Sequence, residues 1–136
     1  MGMYFLDTNI CAYFISRRYP AVTARFRAVE PHELAISALV AAELAYGVEH
    51  STRVEQNRLA LEGFMRLIKV VPWDASAMWH FAQHKTRLKR LDQPIGELEL
   101  LIASQALALD EVLVTNNTRE FERIDGLKLE NWAEGS

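Results

Sequence analysis

The chain has 136 residues, half of them hydrophobic, one cysteine and a formal net charge of −3. This suits one globular domain with a real core, excludes an internal disulfide, and fits a reducing, cytoplasmic compartment. The acidic balance excludes a protein that grips nucleic acid by bulk charge alone, but not a nuclease with a local acidic site beside a basic rim.

No charged-then-apolar leader opens the chain, and no apolar run reaches the ~18 residues that span a bilayer. The longest, Leu34 to Val48, is interrupted by Glu43.

Met3 to Leu6 is a continuous apolar run, the pattern of a strand buried on both faces. It ends at Asp7, and Thr8 and Asn9 are N-cap candidates for a helix over Ile10 to Ser16. A second helix is expected from Ala21 to Val29, stopped by Pro31. A short strand follows at Glu33 to Ser37, then helices over Ala38 to His50 and Val54 to Arg66. Leu67 to Val71 reads as a strand ended by Pro72. Asp74 caps a long helix, Ala75 to Leu91, and Pro94 and Gly96 precede another, Glu97 to Leu109. Val112 to Thr115 is a strand, Thr118 to Arg123 a short helix, and Lys128 to Asn131 a last strand. Strands alternating with helices imply an α/β sandwich with a parallel sheet of about five strands and helices on both faces.

In such sheets chemistry collects beyond the carboxyl ends of the strands, which makes Asp7 the first candidate. The alternative is that Asp7 only caps a helix. Glu43 falls within the apolar arc of its helix at 100° per residue, among Leu39, Val40, Leu44, Tyr46 and Val48. A carboxylate there is costly unless paired with a cation or metal; otherwise it sits half-exposed at the arc's edge. The same projection puts Glu97 on a solvated side. Glu99 lies on the packed side, beside Ile102, Ala103 and Ala106, in the first turn, where the helix dipole favours an anion. Thr115, Asn116, Asn117 and Glu120 gather at another strand's end, and Asn117 with Glu120 fits a capping box in spirit.

Acids drawn from separate elements repel and raise one another's pKa. A hard divalent cation bound through oxygen, Mg²⁺ or Mn²⁺, resolves that repulsion. His80 and His84 stand four apart without the glutamate of a zinc-protease helix and read as a helix face. The basic stretch Lys85 to Arg90 either touches a nucleic-acid backbone or compensates a helix C-terminus. An aspartyl phosphotransferase built on Asp7 lacks a second acid two residues on, where Asn9 stands.

Several segments, in order, carry a resemblance: Leu6-Asp7-Thr8-Asn9-Ile10, Ile36-Ser37 before Ala42-Glu43-Leu44, Tyr46-Gly47-Val48-Glu49, Pro94-Ile95-Gly96 before Leu101-Ile102-Ala103, Leu113 to Asn117 before Arg119-Glu120-Phe121, and Leu127 to Trp132. The chain resembles the PIN-domain ribonucleases, specifically the VapC toxins of type II toxin–antitoxin systems, as a single domain over 1–136. The resemblance implies a sheet ordered 3-2-1-4-5 and a Mg²⁺- or Mn²⁺-dependent endoribonuclease. It implies metal ligands at Asp7, Glu99 and Glu43, with Thr8, Thr115, Asn117 and Glu120 positioning water, metal or phosphate. It further implies a homodimer, inhibition by a VapB-type antitoxin whose tail enters the acidic groove, and tRNA as substrate, initiator tRNA above all. Glu99 stands where the family normally has Asp, and the added methylene moves the carboxylate by about 1.5 Å. The consequence is either a tolerated variant or a catalytically impaired module that binds RNA or antitoxin.

Overall fold

The computed structural model describes residues 2–134; Met1, Gly135 and Ser136, the ends of the expected domain, lie outside them. β1 (Tyr4–Leu6) is the centre of a five-stranded sheet ordered β3-β2-β1-β4-β5, with every pair parallel. The other strands are β2 (Leu34–Ser37), β3 (Lys69–Val71), β4 (Val112–Val114) and β5 (Lys128–Glu130). Burial follows position. β2 is buried along its whole length, whereas the edge strand β3 exposes Lys69 and Val70. The helices are α1 (Thr8–Ser16), α2 (Pro20–Ala28), α3 (Ala38–Glu49), α4 (Val54–Met65), α5 (Met78–Arg90), α6 (Glu97–Leu109) and α7 (Thr118–Phe121).

The chain steps outward from β1 to β2 to β3, then returns to the other side of β1 to lay down β4 and β5. Right-handed crossovers therefore put the helices of the first half on one face of the sheet and α5 and α6 on the other. Strand order reverses between β1 and β4, and a crevice opens at their carboxyl ends at such a reversal. The register sets Leu6 beside Val114, and Asp7 N–H donates to the Val114 carbonyl at 2.9 Å. Asp7 and Thr115 thus leave the sheet side by side.

Local chemistry moves several expected boundaries. Asp7 itself is the N-cap of α1, so the helix starts at Thr8, before the expected Ile10. Pro20 occupies the first turn of α2, where its missing N–H costs nothing. Glu30 and Glu33 cap one another reciprocally, turning Pro31–Glu33 into a 3-10 turn and delaying β2 to Leu34. Asp74 caps a 3-10 turn, Ala75–Ala77, and α5 follows from Met78. Tyr46, assigned to the apolar arc of α3, is 68% exposed.

Candidate active site

Asp7 is 8% exposed and fixed at both oxygens. Oδ1 accepts from the Thr8 N–H at 2.8 Å, and Oδ2 accepts from the Thr115 hydroxyl at 2.8 Å. Burial pushes its pKa up. The two hydrogen bonds pull the other way, and the Glu43 and Glu120 carboxylates add to the rise. The Thr8 hydroxyl donates to Glu43 Oε1, tying α1 to α3. Glu43 is half-buried, on a helix fixed at its start by Ser37, whose hydroxyl accepts from Leu39 N–H at 3.1 Å. Glu43 thus sits half-buried at the arc's edge, with the Thr8 hydroxyl and no cation as its partner among the described residues.

The other half of the cluster is built at the start of α6. Glu99 is half-buried. Desolvation raises its pKa first, followed by the charges of Glu120, Glu43 and Asp7, while its own backbone N–H stabilises the carboxylate. The side chain therefore folds back over the first turn of its own helix. Gly96 provides the space: a Cβ at that position would lie 1.9 Å from Glu99 Oε1 and 2.9 Å from Cδ.

Glu120 is a brace. Oε1 accepts from Gly96 N–H at 3.0 Å and Oε2 from Asn117 Nδ2 at 2.9 Å. The Asn117 bond, the Gly96 N–H and, last, the charge of Arg123 hold its pKa low against a smaller rise from burial. Asn117 does not cap α7 through its side chain, so the expected capping box is replaced by this direct amide–carboxylate bond. Asn117 N–H donates in turn to the Thr115 hydroxyl oxygen at 3.0 Å, which links the brace to Asp7.

Hydrogen bonds run from Glu43 through Thr8, Asp7, Thr115 and Asn117 to Glu120 and Gly96, over which Glu99 folds, so the four acids share one locality. Among the described residues none of the four takes part in an ion pair. The donor set is carboxylate oxygen, hydroxyl and amide, the chemistry a hard divalent cation selects. As the side chains lie, no group of three or more His, Cys, Asp or Glu among the described residues is in position to hold a metal ion. Engaging one requires carboxylates to turn from their present hydrogen bonds.

Glu97 pairs with Lys85 at 2.7 Å on the solvated side, as its projection required. Arg87 is committed to the Arg123 carbonyl at 2.6 Å and to Asp125. The basic stretch of α5 thus has structural work at two of its cations. His84 is partly buried, with its pKa lowered by burial and then by Arg87 and His80.

Three features escaped the sequence. Gly96 reads only as helix punctuation. Asn9 and Asn116 join at 3.5 Å across the mouth of the crevice. An apolar groove of about 830 Å³ runs between α1, α2 and α4, lined among others by Phe14, Pro20, Phe26, Leu59, Phe64 and Leu67.

The PIN domain model matches residues 4–127. The chain belongs to the PIN-domain family. Within it the similarity is to VapC proteins. A tRNA(fMet)-specific endonuclease VapC of Shigella flexneri is 39% identical over 133 residues, covering 98% of this chain and all of that protein. The solved VapBC2 of Rickettsia felis, bound to a DNA fragment from its promoter, superposes with a TM-score of 0.89 at 38% identity, over 96% of this chain and 98% of that one. The DNA-bound VapBC of Salmonella typhimurium gives 0.90 at 36%, over 97% and 99%. This PIN domain therefore has the sheet order that its sequence resemblance implied.

Proposed function

We propose that this chain is the toxin of a VapBC-type pair, a Mg²⁺- or Mn²⁺-dependent endoribonuclease acting on tRNA, with initiator tRNA as the favoured substrate. The observation that carries this is the gathering of four acids, from the end of β1 and from α3, α6 and α7, at the sheet's switch point, none of them in an ion pair among the described residues. End-to-end similarity to VapC ribonucleases supports it. Among the described residues no helix is long and apolar enough to cross a membrane; a cytoplasmic homodimer is part of the reading.

Asp7, Glu99 and Glu43 would hold the cation, which supplies Lewis-acid stabilisation to the charge building on the scissile phosphate. Thr115 and Thr8 fix Asp7 and Glu43 relative to one another before substrate arrives, so little reorganisation is left to the reaction. Glu43, bonded to Thr8 through Oε1, would hold the cation or orient the attacking water through its other oxygen; water adds to phosphorus and gives up a proton to solvent, the P–O bond to the neighbouring ribose breaks, and the leaving ribose oxygen takes up a proton. Glu120 and Asn117 hold the loop after β4 against the start of α6.

The partner is a VapB-type antitoxin. The apolar groove between α1, α2 and α4 suits the apolar face of an amphipathic helix, leaving the following segment of the antitoxin to reach the acids.

The impaired-module reading draws on the absence of a ready metal-holding trio among the described residues. Against it, Gly96 lets the longer acid fold back beside the cluster, and we assign this chain cleavage activity. Purified protein stripped with EDTA should lose cleavage of total tRNA and regain it with Mg²⁺ or Mn²⁺. Equal cleavage in EDTA would refute the metal role, and no cleavage under any condition would leave the binding module standing.

A further inference from the structure

A second cluster adjoins the carboxylates and takes no part in the chemistry above. Tyr13 of α1 and Tyr19, the residue before α2, stack with ring centroids 3.8 Å apart and planes 24° from parallel. Tyr19 is 39% exposed, so the stack is a surface feature. Asn116 donates from Nδ2 to the Tyr13 hydroxyl at 3.0 Å and accepts from Asn9 Nδ2 at 3.5 Å. Asn9 follows Thr8 in the chain, and Asn116 follows Thr115. The two amides therefore bridge from the loops that hold Asp7 to the rings. Arg17 and Arg18 directly precede Tyr19; both are exposed, and neither forms an ion pair among the described residues.

A chain of net charge −3 has little bulk attraction for phosphate. Single-stranded RNA is then held by stacking on aromatic rings, by hydrogen bonds to base edges and by a few local cations. The cluster supplies each: a partly exposed ring, two amides beside the stack, and two exposed guanidiniums preceding it in the chain. We propose that Tyr19, backed by Tyr13 and flanked by Asn9 and Asn116, seats an unpaired nucleobase of the RNA next to the bond to be cut. This rests on the ribonuclease reading and deepens it. An antitoxin segment is the competing occupant, since Arg17 and Pro20 also line the apolar groove. Amide edges and arginines match a base and its phosphate better than an apolar side chain.

The test is fluorescence anisotropy of a fluorescein-labelled single-stranded RNA, and of the same strand in duplex, with the full-length protein in EDTA so that the strand stays intact. Tyr19→Ala should weaken single-strand binding about tenfold, the effect of losing one stacked base, and leave duplex binding unchanged. Tyr19→Trp should hold single-strand binding within about twofold of wild type, because the stacking face survives. Unchanged thermal midpoints exclude a folding defect. Wild-type affinity in Tyr19→Ala, with RNA still cleaved when Mg²⁺ is added, overturns the base seat and leaves the ribonuclease reading intact. Loss of antitoxin-peptide binding with unchanged RNA affinity assigns the stack to the protein partner and also overturns it. A wild-type protein that neither binds nor cleaves RNA brings down both.

Discussion

Asp7 and Glu99 bring carboxylates to the same end of the sheet by different means. Asp7 directly follows the last residue of the central strand and caps α1, with both oxygens held at 2.8 Å by Thr8 and Thr115. Its position is set by strand register and by the core beneath it. Glu99 sits on the first turn of a helix, half-exposed, and its position depends on a neighbour that has no side chain. A carboxylate fixed by the sheet is insensitive to small changes around it, whereas one fixed by packing over a glycine is easily displaced. The longer acid at position 99 has space over Gly96, whereas both oxygens of Asp7 are already engaged.

The largest effect expected follows from breaking the rigid half. Asp7→Asn should lower cleavage by on the order of 10²–10³-fold, the loss typical of removing one preorganised electrostatic group, as read from initial rates on tRNA. A fall of less than about tenfold would mean that Asp7 is chiefly a helix cap.

Next is the adaptable half. Gly96→Ala places a methyl where Glu99 Oε1 lies; the carboxylate must leave, and a displacement of about 1 Å costs roughly 10²-fold in rate. In the Glu99→Asp protein, whose shorter acid does not reach over residue 96, the same change should cost less than about threefold. Glu99→Asp alone should alter the rate by under tenfold, about 1.4 kcal/mol. A rise far beyond that would restore the impaired-module reading. Equal losses from Gly96→Ala in both backgrounds would show that the glycine serves the backbone and not the acid.

A smaller effect comes from the link between the halves. Glu120→Ala removes two bonds to a charged acceptor, each worth about 1.5–3 kcal/mol, less screening at a partly exposed site. Cleavage should fall about tenfold, and the thermal midpoint, measured without metal, should fall by several degrees. A loss as large as that of Asp7→Asn would make Glu120 a ligand and not a brace.

The smallest effect is on stability against pH. Asp7 has its pKa raised in the folded state, so the native protein binds more protons than the unfolded chain between the two values. Metal-free stability then falls as pH rises through that window. Above the window, metal-free Asp7→Asn should melt higher than the metal-free wild type by calorimetry. Saturating Mn²⁺ should remove the gap by binding the native wild type. A variant that melts lower throughout would show the Thr8 and Thr115 bonds outweighing burial.

Much of this was legible in the residues. An apolar run ending in Asp7 marked the strand end and its buried acid, and helical projection separated Glu97 from Glu99 because one face of α6 is packed. The sheet order came from family resemblance, since parallel strands of three or four residues carry no register signal of their own. Gly96 was not legible, because its role depends on the rotamer of a side chain three residues away. Tyr46 was misplaced because an aromatic residue counts as apolar in a projection even where the helix face turns outward, next to His50. The Tyr13–Tyr19 stack bridges the end of one helix and the start of the next, and no periodicity describes such a junction.

Calorimetric titration of Mn²⁺ into EDTA-stripped protein tests most directly whether these separate carboxylates act as one site. The account predicts saturable binding to wild type that is lost in Asp7→Asn and weakened in Glu43→Gln and in Gly96→Ala. Binding of equal strength in all four proteins, or none in wild type under conditions where it cleaves RNA, would contradict it.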